Sequence, residues 1–316
     1  MTTKPNPNEI IISRLYDAPV NLVWDAWTDP EQVAQWWGPR GFSITTHSKE
    51  IKPGGIWHYT MHGPDGTDYP NKTLYHEVVE HQRLVYDHGG NDEQAPLFRV
   101  TVVFEEKKRQ THMHMTMTLP SAEALVQVKQ IIKDASGNST WDRLAEYLAK
   151  QQDNKEIFVI NRSFDTSLDT MYDMWANPKH FAQWMGPTGA TMEFIHTDVR
   201  EGGSAFYKMS GVNDLVLYGT VFYKTFNKPN YMEYTQQFSD EHGNVSRHPL
   251  APAWPETMST KVFLTAEDDG QTRVTLVWEP IGDVSAEELQ AFIEMKSGMT
   301  QGWTGSFDKL ESYVAR

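Results

Sequence analysis

The spacing of apolar residues changes several times along the chain, and each change predicts an element. Ile10 to Tyr16 is rich in β-branched and aromatic residues and reads as a strand. After Pro19, which suits a first helical turn, Val20, Val23, Trp24 and Trp27 recur at helical spacing. Asp29-Pro30 interrupts that helix, and a second short one carrying Val33, Trp36 and Trp37 ends at Gly38-Pro39. Turn signals at Gly54-Gly55, Gly63-Pro64-Asp65-Gly66 and Gly89-Gly90 then divide a run of strands. Thr111 to Leu119 alternates with period two, placing Met113, Met115 and Met117 on one face and His112 and His114 on the other. A helix closes the pattern.

The same pattern then runs a second time. Shifted by 148 positions, Arg14 falls on Arg162, Trp27 on Trp175, Pro30 on Pro178, Ala34-Gln35-Trp36 on Ala182-Gln183-Trp184, and Tyr59 and Met61 on Tyr207 and Met209. Toward the end of each copy the shift grows to 166, aligning Asp142 with Asp308 and Leu144 with Leu310. The second copy is therefore longer. Much of the extra length lies in the proline-containing stretch 247 to 256, read as an extended loop, and Asp269-Gly270 marks a further turn. Its closing helix is predicted from a capping box at Ser285 and Glu288 and an apolar stripe through Phe292, Met295, Met299, Trp303, Leu310 and Val314. The counterpart of the methionine strand places Val274, Leu276 and Trp278 inward and Arg273, Thr275 and Glu279 outward. The expected domains are residues 1–152 and 153–316.

Each copy thus reads as α+β: a strand, two short helices, about six antiparallel strands and a long terminal helix. A sheet wrapped around one helix leaves a space between them unless large side chains fill it. Both outcomes, a cavity and a filled core, are open on the residues alone. Methionine adapts to irregular outlines, so the Met113, Met115 and Met117 wall suits either.

Composition narrows the function classes. With 28 basic and 42 acidic residues the formal charge is −14, which opposes association with phosphate backbones or anionic membranes. Split at the boundary, the copies carry 15 − 19 = −4 and 13 − 23 = −10, with eight histidines in the first and four in the second. The absence of cysteine excludes disulfides, thiolate metal sites and a cysteine nucleophile. Residues 1 to 8 lack a signal-like apolar stretch, and no run approaches the ~20 apolar residues of a membrane span. A cytoplasmic protein is expected, with no nucleic-acid partner and no membrane insertion. The Asn-x-Ser/Thr triplets at Asn71, Asn138, Asn161 and Asn244 then carry no glycosylation meaning.

The motifs Ala18-Pro19, Val23-Trp24-Asp25-Ala26, Thr28-Asp29-Pro30, Trp36-Trp37-Gly38-Pro39, Pro53-Gly54-Gly55, Gly63-Pro64-Asp65-Gly66 and Leu84-Val85-Tyr86 resemble a known family. So do Gly298-Met299, Gly302-Trp303 and Leu310 in the second copy. The family comprises the bacterial homologues of the C-terminal domain of the activator of the ninety-kilodalton heat-shock chaperone ATPase, within the START-like (SRPBCC) helix-grip superfamily. The resemblance covers nearly the whole chain, twice. It implies two tandem START-like domains, each a curved antiparallel sheet of about seven strands gripping a long C-terminal helix over a hydrophobic pocket. Two departures stand out. The first copy reads Ser136-Gly137-Asn138-Ser139-Thr140-Trp141 where the second has its Gly-Trp pair, so a break near Gly137 is expected. The second has Gly211-Val212-Asn213-Asp214 in place of Gly-Pro-Asp-Gly. No counterpart of the N-terminal domain with which the eukaryotic activator engages its chaperone is expected, which lowers the co-chaperone reading.

Candidate ligand-lining residues are Arg14, Trp27, Trp36, Trp57, Tyr59, Met61, Met113, Met115 and Met117 in the first copy. In the second they are Arg162, Trp175, Trp184, Tyr207, Met209, Leu276, Trp278, Phe292, Met295, Met299 and Trp303. Trp36 and Trp184 are placed near the pocket mouth, with core packing favoured over ligand contact because bulky aromatics usually serve interiors. Arg14 and Arg162, on the more apolar strand face, need either an anionic ligand or an ion pair. Asp25, Asp173, Glu50 and Asp198 are the natural partners. His112 and His114 point outward and lack counterparts in the second copy, which disfavours zinc, and no cofactor is expected. His58 and His62 are adequately read as part of a polar face. No nucleophile elbow, phosphate loop or dinucleotide fingerprint appears, and Tyr59, Tyr207, His76 and Glu77 are the residues available for acid–base work. The leading expectation is a carrier of a hydrophobic or amphipathic small molecule, in a cavity of roughly 300 to 1,000 Å³. An arginine or tyrosine would orient the ligand's polar end. The alternatives are a module regulating a chaperone or other cytoplasmic protein, and a cyclase- or hydrolase-like enzyme.

Overall fold

A computed structural model describes residues 8–90, 94–134, 139–212, 215–267 and 270–315. The chain divides into two compact units between Lys155 and Glu156, here domain 1 and domain 2. Domain 1 begins with β1 (Glu9–Tyr16), α1 (Val20–Thr28) and α2 (Pro30–Trp36). The strands β2 (Ser43–Lys49), β3 (Ile56–His62), β4 (Asp68–Val79), β5 (Arg83–His88), β6 (Phe98–Lys107) and β7 (Gln110–Thr118) follow, and α3 (Ala122–Asp134) and α4 (Ser139–Asp153) close it. Domain 2 repeats the order as β8 (Phe158–Phe164), α5 (Leu168–Ala176), α6 (Pro178–Trp184) and β9 (Thr191–Thr197). Then come β10 (Ser204–Val212), β11 (Leu215–Asn227), β12 (Tyr231–Ser239), β13 (Thr257–Ala266), β14 (Thr272–Ile281), α7 (Ala286–Glu294) and α8 (Lys296–Val314).

Each domain has one seven-stranded antiparallel sheet, ordered β1-β7-β6-β5-β4-β3-β2 and β8-β14-β13-β12-β11-β10-β9. Six strands form a meander, the topology that short hairpins favour. The first strand pairs with the last, at the edge opposite to the second strand. The paired short helices must therefore carry the chain across the sheet's full width, six steps of about 4.8 Å or roughly 29 Å. They do so because a proline restarts the helix midway. Asp29 caps α2 by accepting from the amides of Glu31 and Gln32 at 2.9 Å, with Pro30 at the first helical position. Asn177 and Pro178 repeat the device for α6. Register shifts at Tyr75/Glu77 and Tyr223/Thr225 mark matching bulges, which bend the strands that carry them.

The closing element of each domain is two helices rather than one. In domain 2 the α7 helix, held by the reciprocal Ser285–Glu288 capping box, ends at Met295, whose backbone (φ −81°, ψ −3°) departs from helical values before α8 begins. The change of direction takes Met295 out of the stripe: it is 39% exposed, while Phe292, Met299, Trp303 and Leu310 are buried. The break expected near Gly137 in domain 1 lies outside the described residues. Arg273, expected outward, lies on the outer face but is covered and paired with Glu267.

Candidate functional site

Domain 2 contains an apolar cavity of about 30 Å³. It lies between the α5–α6 pair and strands β9 to β12, rather than beneath the terminal helix. Trp175, Phe181 and Met185 line it from the helical side, and Met192, Phe194, Tyr207, Met209, Val221, Tyr223, Met232, Tyr234 and Gln236 from the sheet. Strand alternation explains the sheet contribution, because residues 207 and 209, 221 and 223, and 232, 234 and 236 each share one face of their strand.

The equivalent space in domain 1 is occupied by tryptophan. Trp57 stacks on Tyr59 with ring centroids 4.0 Å apart, and Trp37 meets Trp57 edge-on at 5.3 Å while donating from Nε1 to the Tyr59 hydroxyl at 3.3 Å. Trp27, Trp36 and Trp141 continue the cluster. By the 148-residue shift, Trp37 becomes Met185 and Trp57 becomes Ala205 in domain 2. Met185 borders the cavity, and Ala205, buried two residues before Tyr207 on the same strand face, supplies no ring to the interior.

Of the twenty residues expected to line a site, Trp175, Tyr207 and Met209 border this cavity. Trp36 and Trp184, for which the sequence favours core packing over contact at a pocket mouth, are fully buried. Their Nε1 atoms donate to the backbone carbonyls of Ala26 (2.9 Å) and Met174 (3.0 Å), so they lock the two short helices together. Trp27, Trp57, Tyr59, Met113, Met115 and Met117 form the domain 1 core, with Met61 packed half-buried against it. Leu276, Phe292, Met299 and Trp303 belong to the domain 2 core, with Trp278 packed against it. The loop between β12 and β13 adds Trp254 to this group, 5.8 Å from Phe292 and 6.3 Å from Trp278. That indole helps to fill the space beneath the terminal helices where the sequence suggests a hollow.

The two arginines find partners other than those expected. Arg162 donates to Asp308 at 2.6 Å and lies 3.7 Å from Glu311, over the Phe307 ring. The Arg14 guanidinium, held below its ordinary pKa by burial, is opposed by the charge of Asp142, the counterpart of Asp308. The reason is topological: β1 and β8 run beside the terminal helices, at the sheet edge remote from Glu50 and Asp198. Those two carboxylates pair instead with Lys52 (2.9 Å) and Arg200 (2.8 Å), and Asp173 lies 3.3 Å from His180. Asp25 lines an open surface groove of about 460 Å³ with Trp24, Asp29 and Glu80.

The terminal helix also closes the loop after the second short helix. Arg143 donates from Nη1 to the carbonyls of Gly38, Pro39 and Phe42 at 2.8 to 3.1 Å, and burial lowers its pKa to about 10. Lys309 does the same in domain 2, reaching the carbonyls of Met185, Gly186 and Ala190 at 2.9 to 3.3 Å. Arg40 and Glu146 form a buried two-pronged ion pair beside Arg143, at 3.0 and 2.8 Å.

Electrostatically the cavity is neutral. Burial pushes the hydroxyls of Tyr207 and Tyr223 up to about 12, and that of Tyr234 higher still. Of the acid–base candidates, His76 lies 2.7 Å from Asp87 on the outside of domain 1 and Glu77 pairs with Arg83. Neither converges with the buried Tyr59. His114 is exposed and bonded to Ser13 at 2.9 Å, while His112 is half-buried; His62 meets Asp68 at 2.6 Å. Among the described residues no cluster of three or more His, Cys, Asp or Glu side chains is arranged to hold a metal ion. No helix among them is long and apolar enough to cross a membrane.

Two seven-stranded antiparallel sheets, each with paired short helices after its first strand and helices at its end, define a tandem helix-grip protein of the START-like class. The family model described as Activator of Hsp90 ATPase homolog 1-like protein matches residues 17–149 and again 165–315, and the chain belongs to that family. Among solved structures, protein Ms6760 from Mycobacterium smegmatis is 23% identical over 50% of this chain and 90% of its own (TM-score 0.43). A protein from Staphylococcus epidermidis is 28% identical over 48% of this chain and 96% of its own (TM-score 0.42). The di-domain ARO/CYC BexL from the BE-7585A biosynthetic pathway is 10% identical over 96% of this chain and 98% of its own (TM-score 0.39). A comparison with curated protein sequences gives no match.

Proposed function

We propose that the protein binds a hydrophobic small molecule in domain 2, within the cavity between the α5–α6 pair and strands β9 to β12, while domain 1 serves as a filled scaffold. The observation that carries this reading is the exchange of Trp37 and Trp57 for Met185 and Ala205 at the positions where the two interiors differ. As it stands the cavity admits water-sized molecules, since a single water needs about 10 to 15 Å³. It is an order of magnitude below the roughly 300 Å³ at which ligand pockets begin. Occupation therefore requires the wall to move. Met185, Met192, Met209 and Met232 give it that capacity, because an unbranched thioether changes rotamer at small cost.

The test restores the domain 1 plug. Nile red, an uncharged dye, is titrated into the wild-type chain and into the Ala205→Trp variant, with circular dichroism confirming that the variant folds. Wild-type binding, weakened at least tenfold by the new indole beside Tyr207, is the expected result. Equal binding by both proteins, or none by the wild type, would refute the assignment.

A further inference from the structure

The chemistry of the cavity wall goes further than its position. No Asp, Glu, Lys, Arg or His lines it. Lys309 is already engaged by three carbonyls that include that of Met185, Arg162 by Asp308, and Lys179 on α6 and Lys224 on β11 are exposed to solvent. A carboxylate or ammonium entering this space would lose its hydration without gaining a counter-charge, which is the costliest form of burial. The three tyrosine hydroxyls stay neutral at physiological pH, so they compensate no full charge.

The one indole donor on the wall is unspent. Trp175 is 5% exposed, and its Nε1 is buried without an acceptor among the described residues, although the neighbouring Trp184, 4.8 Å away ring to ring, donates to a carbonyl. Buried donors left unpaired are rare, and a site with free volume beside one calls for an acceptor. An indole N–H donates only and accepts nothing, so it selects an oxygen with a lone pair. The counterpart Trp27 in domain 1 is also without an acceptor, but there Trp37 and Trp57 occupy the adjoining space. The unpaired donor belongs to the shared scaffold, and the cavity that Trp175 borders belongs to domain 2.

We propose that the ligand of domain 2 is an uncharged, mostly apolar molecule bearing a hydrogen-bond acceptor such as a ketone or ester carbonyl, received by the Trp175 indole N–H, and not a fatty acid or other organic anion. This rests on the reading of domain 2 as a ligand-binding domain and narrows it to a chemical class.

Three probes of one shape test it: 2-acetylnaphthalene (neutral, with acceptor), 2-ethylnaphthalene (neutral, without acceptor) and 2-naphthoate (anionic). Each is titrated calorimetrically at pH 7.5 into the full chain and its Trp175→Phe and Ala205→Trp variants. The expected order is acetylnaphthalene tightest, ethylnaphthalene about fivefold weaker, as one net hydrogen bond implies, and naphthoate at least tenfold weaker than the ketone. Trp175→Phe should lower the affinity for the ketone more than that for the hydrocarbon, closing the gap between the two. Ala205→Trp should abolish binding of all three. Naphthoate binding as well as the ketone would overturn the inference while leaving the binding function intact. So would a Trp175→Phe variant that keeps the wild-type preference for the ketone over the hydrocarbon. Failure of all three probes on the wild type would remove the underlying reading itself.

Discussion

Replacing His88 with glutamine, the residue that stands at the matching position of domain 2 as Gln236, removes a buried titratable group from domain 1 at little change in size. The imidazole stacks on Phe98 at 5.1 Å and meets Trp37 and Tyr86 edge-on at 6.0 and 6.4 Å; its Nδ1 is buried without a partner among the described residues. Burial lowers its pKa from 6.5 to about 4. Because the folded value lies below the unfolded one, the unfolded chain takes up the proton first as the solution is acidified. The stability linked to neutral His88 is therefore complete above about pH 6.5 and drains away as pH falls toward 4. With about 1.4 kcal/mol per pKa unit, the loss is about 2 kcal/mol at pH 5 and about 3 kcal/mol at pH 4. These are upper values, since the half-buried ring keeps a solvent-facing edge. The assay is urea unfolding of wild type and His88→Gln at pH 7, 6, 5 and 4, with hydrogen exchange of β5 and β6 assigning the change to domain 1. Other carboxylates and histidines titrate alike in both proteins and cancel in the difference. The variant should gain on the wild type steadily below pH 6.5. A difference that stays level between pH 7 and pH 4 would show that the imidazole is solvated in the folded state, and the argument for a dry aromatic box would fall with it.

Two further perturbations address the terminal elements. Trp254→Ala should cost domain 2 about 3 to 5 kcal/mol in denaturant unfolding, the usual range for deleting a buried tryptophan. Leu250→Ala in the same loop, at a side chain 73% exposed, should change stability by less than about 0.5 kcal/mol; equal effects would mean that the loop does not plug the interior. Arg143→Met leaves the carbonyls of Gly38, Pro39 and Phe42 without their shared donor and should destabilise domain 1 by about 2 to 4 kcal/mol. Arg143→Lys, which copies Lys309, should keep most of that stability, and a lysine variant as weak as the methionine one would contradict a carbonyl-capping role.

The repeat, the helix restarts at Asp29-Pro30 and Asn177-Pro178, and the alternation of Met113, Met115 and Met117 are legible in the sequence because each is local. A cap, a proline or a period of two acts within a few residues. The sheet order follows almost as directly, since a meander leaves the first strand only the far edge. What stays hidden depends on which of two large groups reaches a shared volume first. Trp36 and Trp184 look alike whether they sit at a mouth or in a core, and only the placement of the Ala26 and Met174 carbonyls decides. The partners of Arg14 and Arg162 come from a helix more than a hundred residues away, so no short-range spacing reveals them. Met295 obeys the helical stripe on paper and leaves it because the backbone turns there. Met185 and Ala205 were visible as departures in the aligned copies, yet their meaning required knowing that Trp37 and Trp57 touch.

That contact also explains why the two interiors differ in polarity as well as volume. In domain 1 the Lys49 ammonium stands 3.8 Å from the centre of the Trp57 ring and donates to the Trp27 carbonyl at 2.8 Å. Burial draws its pKa down to about 7, with Asp29 pulling the other way. The indole thus fills the interior and also gives a half-buried cation a π-face to rest on, an interaction that strengthens as water is excluded. In domain 2 the counterpart of Lys49 is Thr197, and the counterpart of Trp57 is Ala205. The ring and the charge are lost together, so no ammonium stands beside the smaller alanine without a π-face to rest on. That paired change accompanies a domain 2 cavity bordered by no charged side chain.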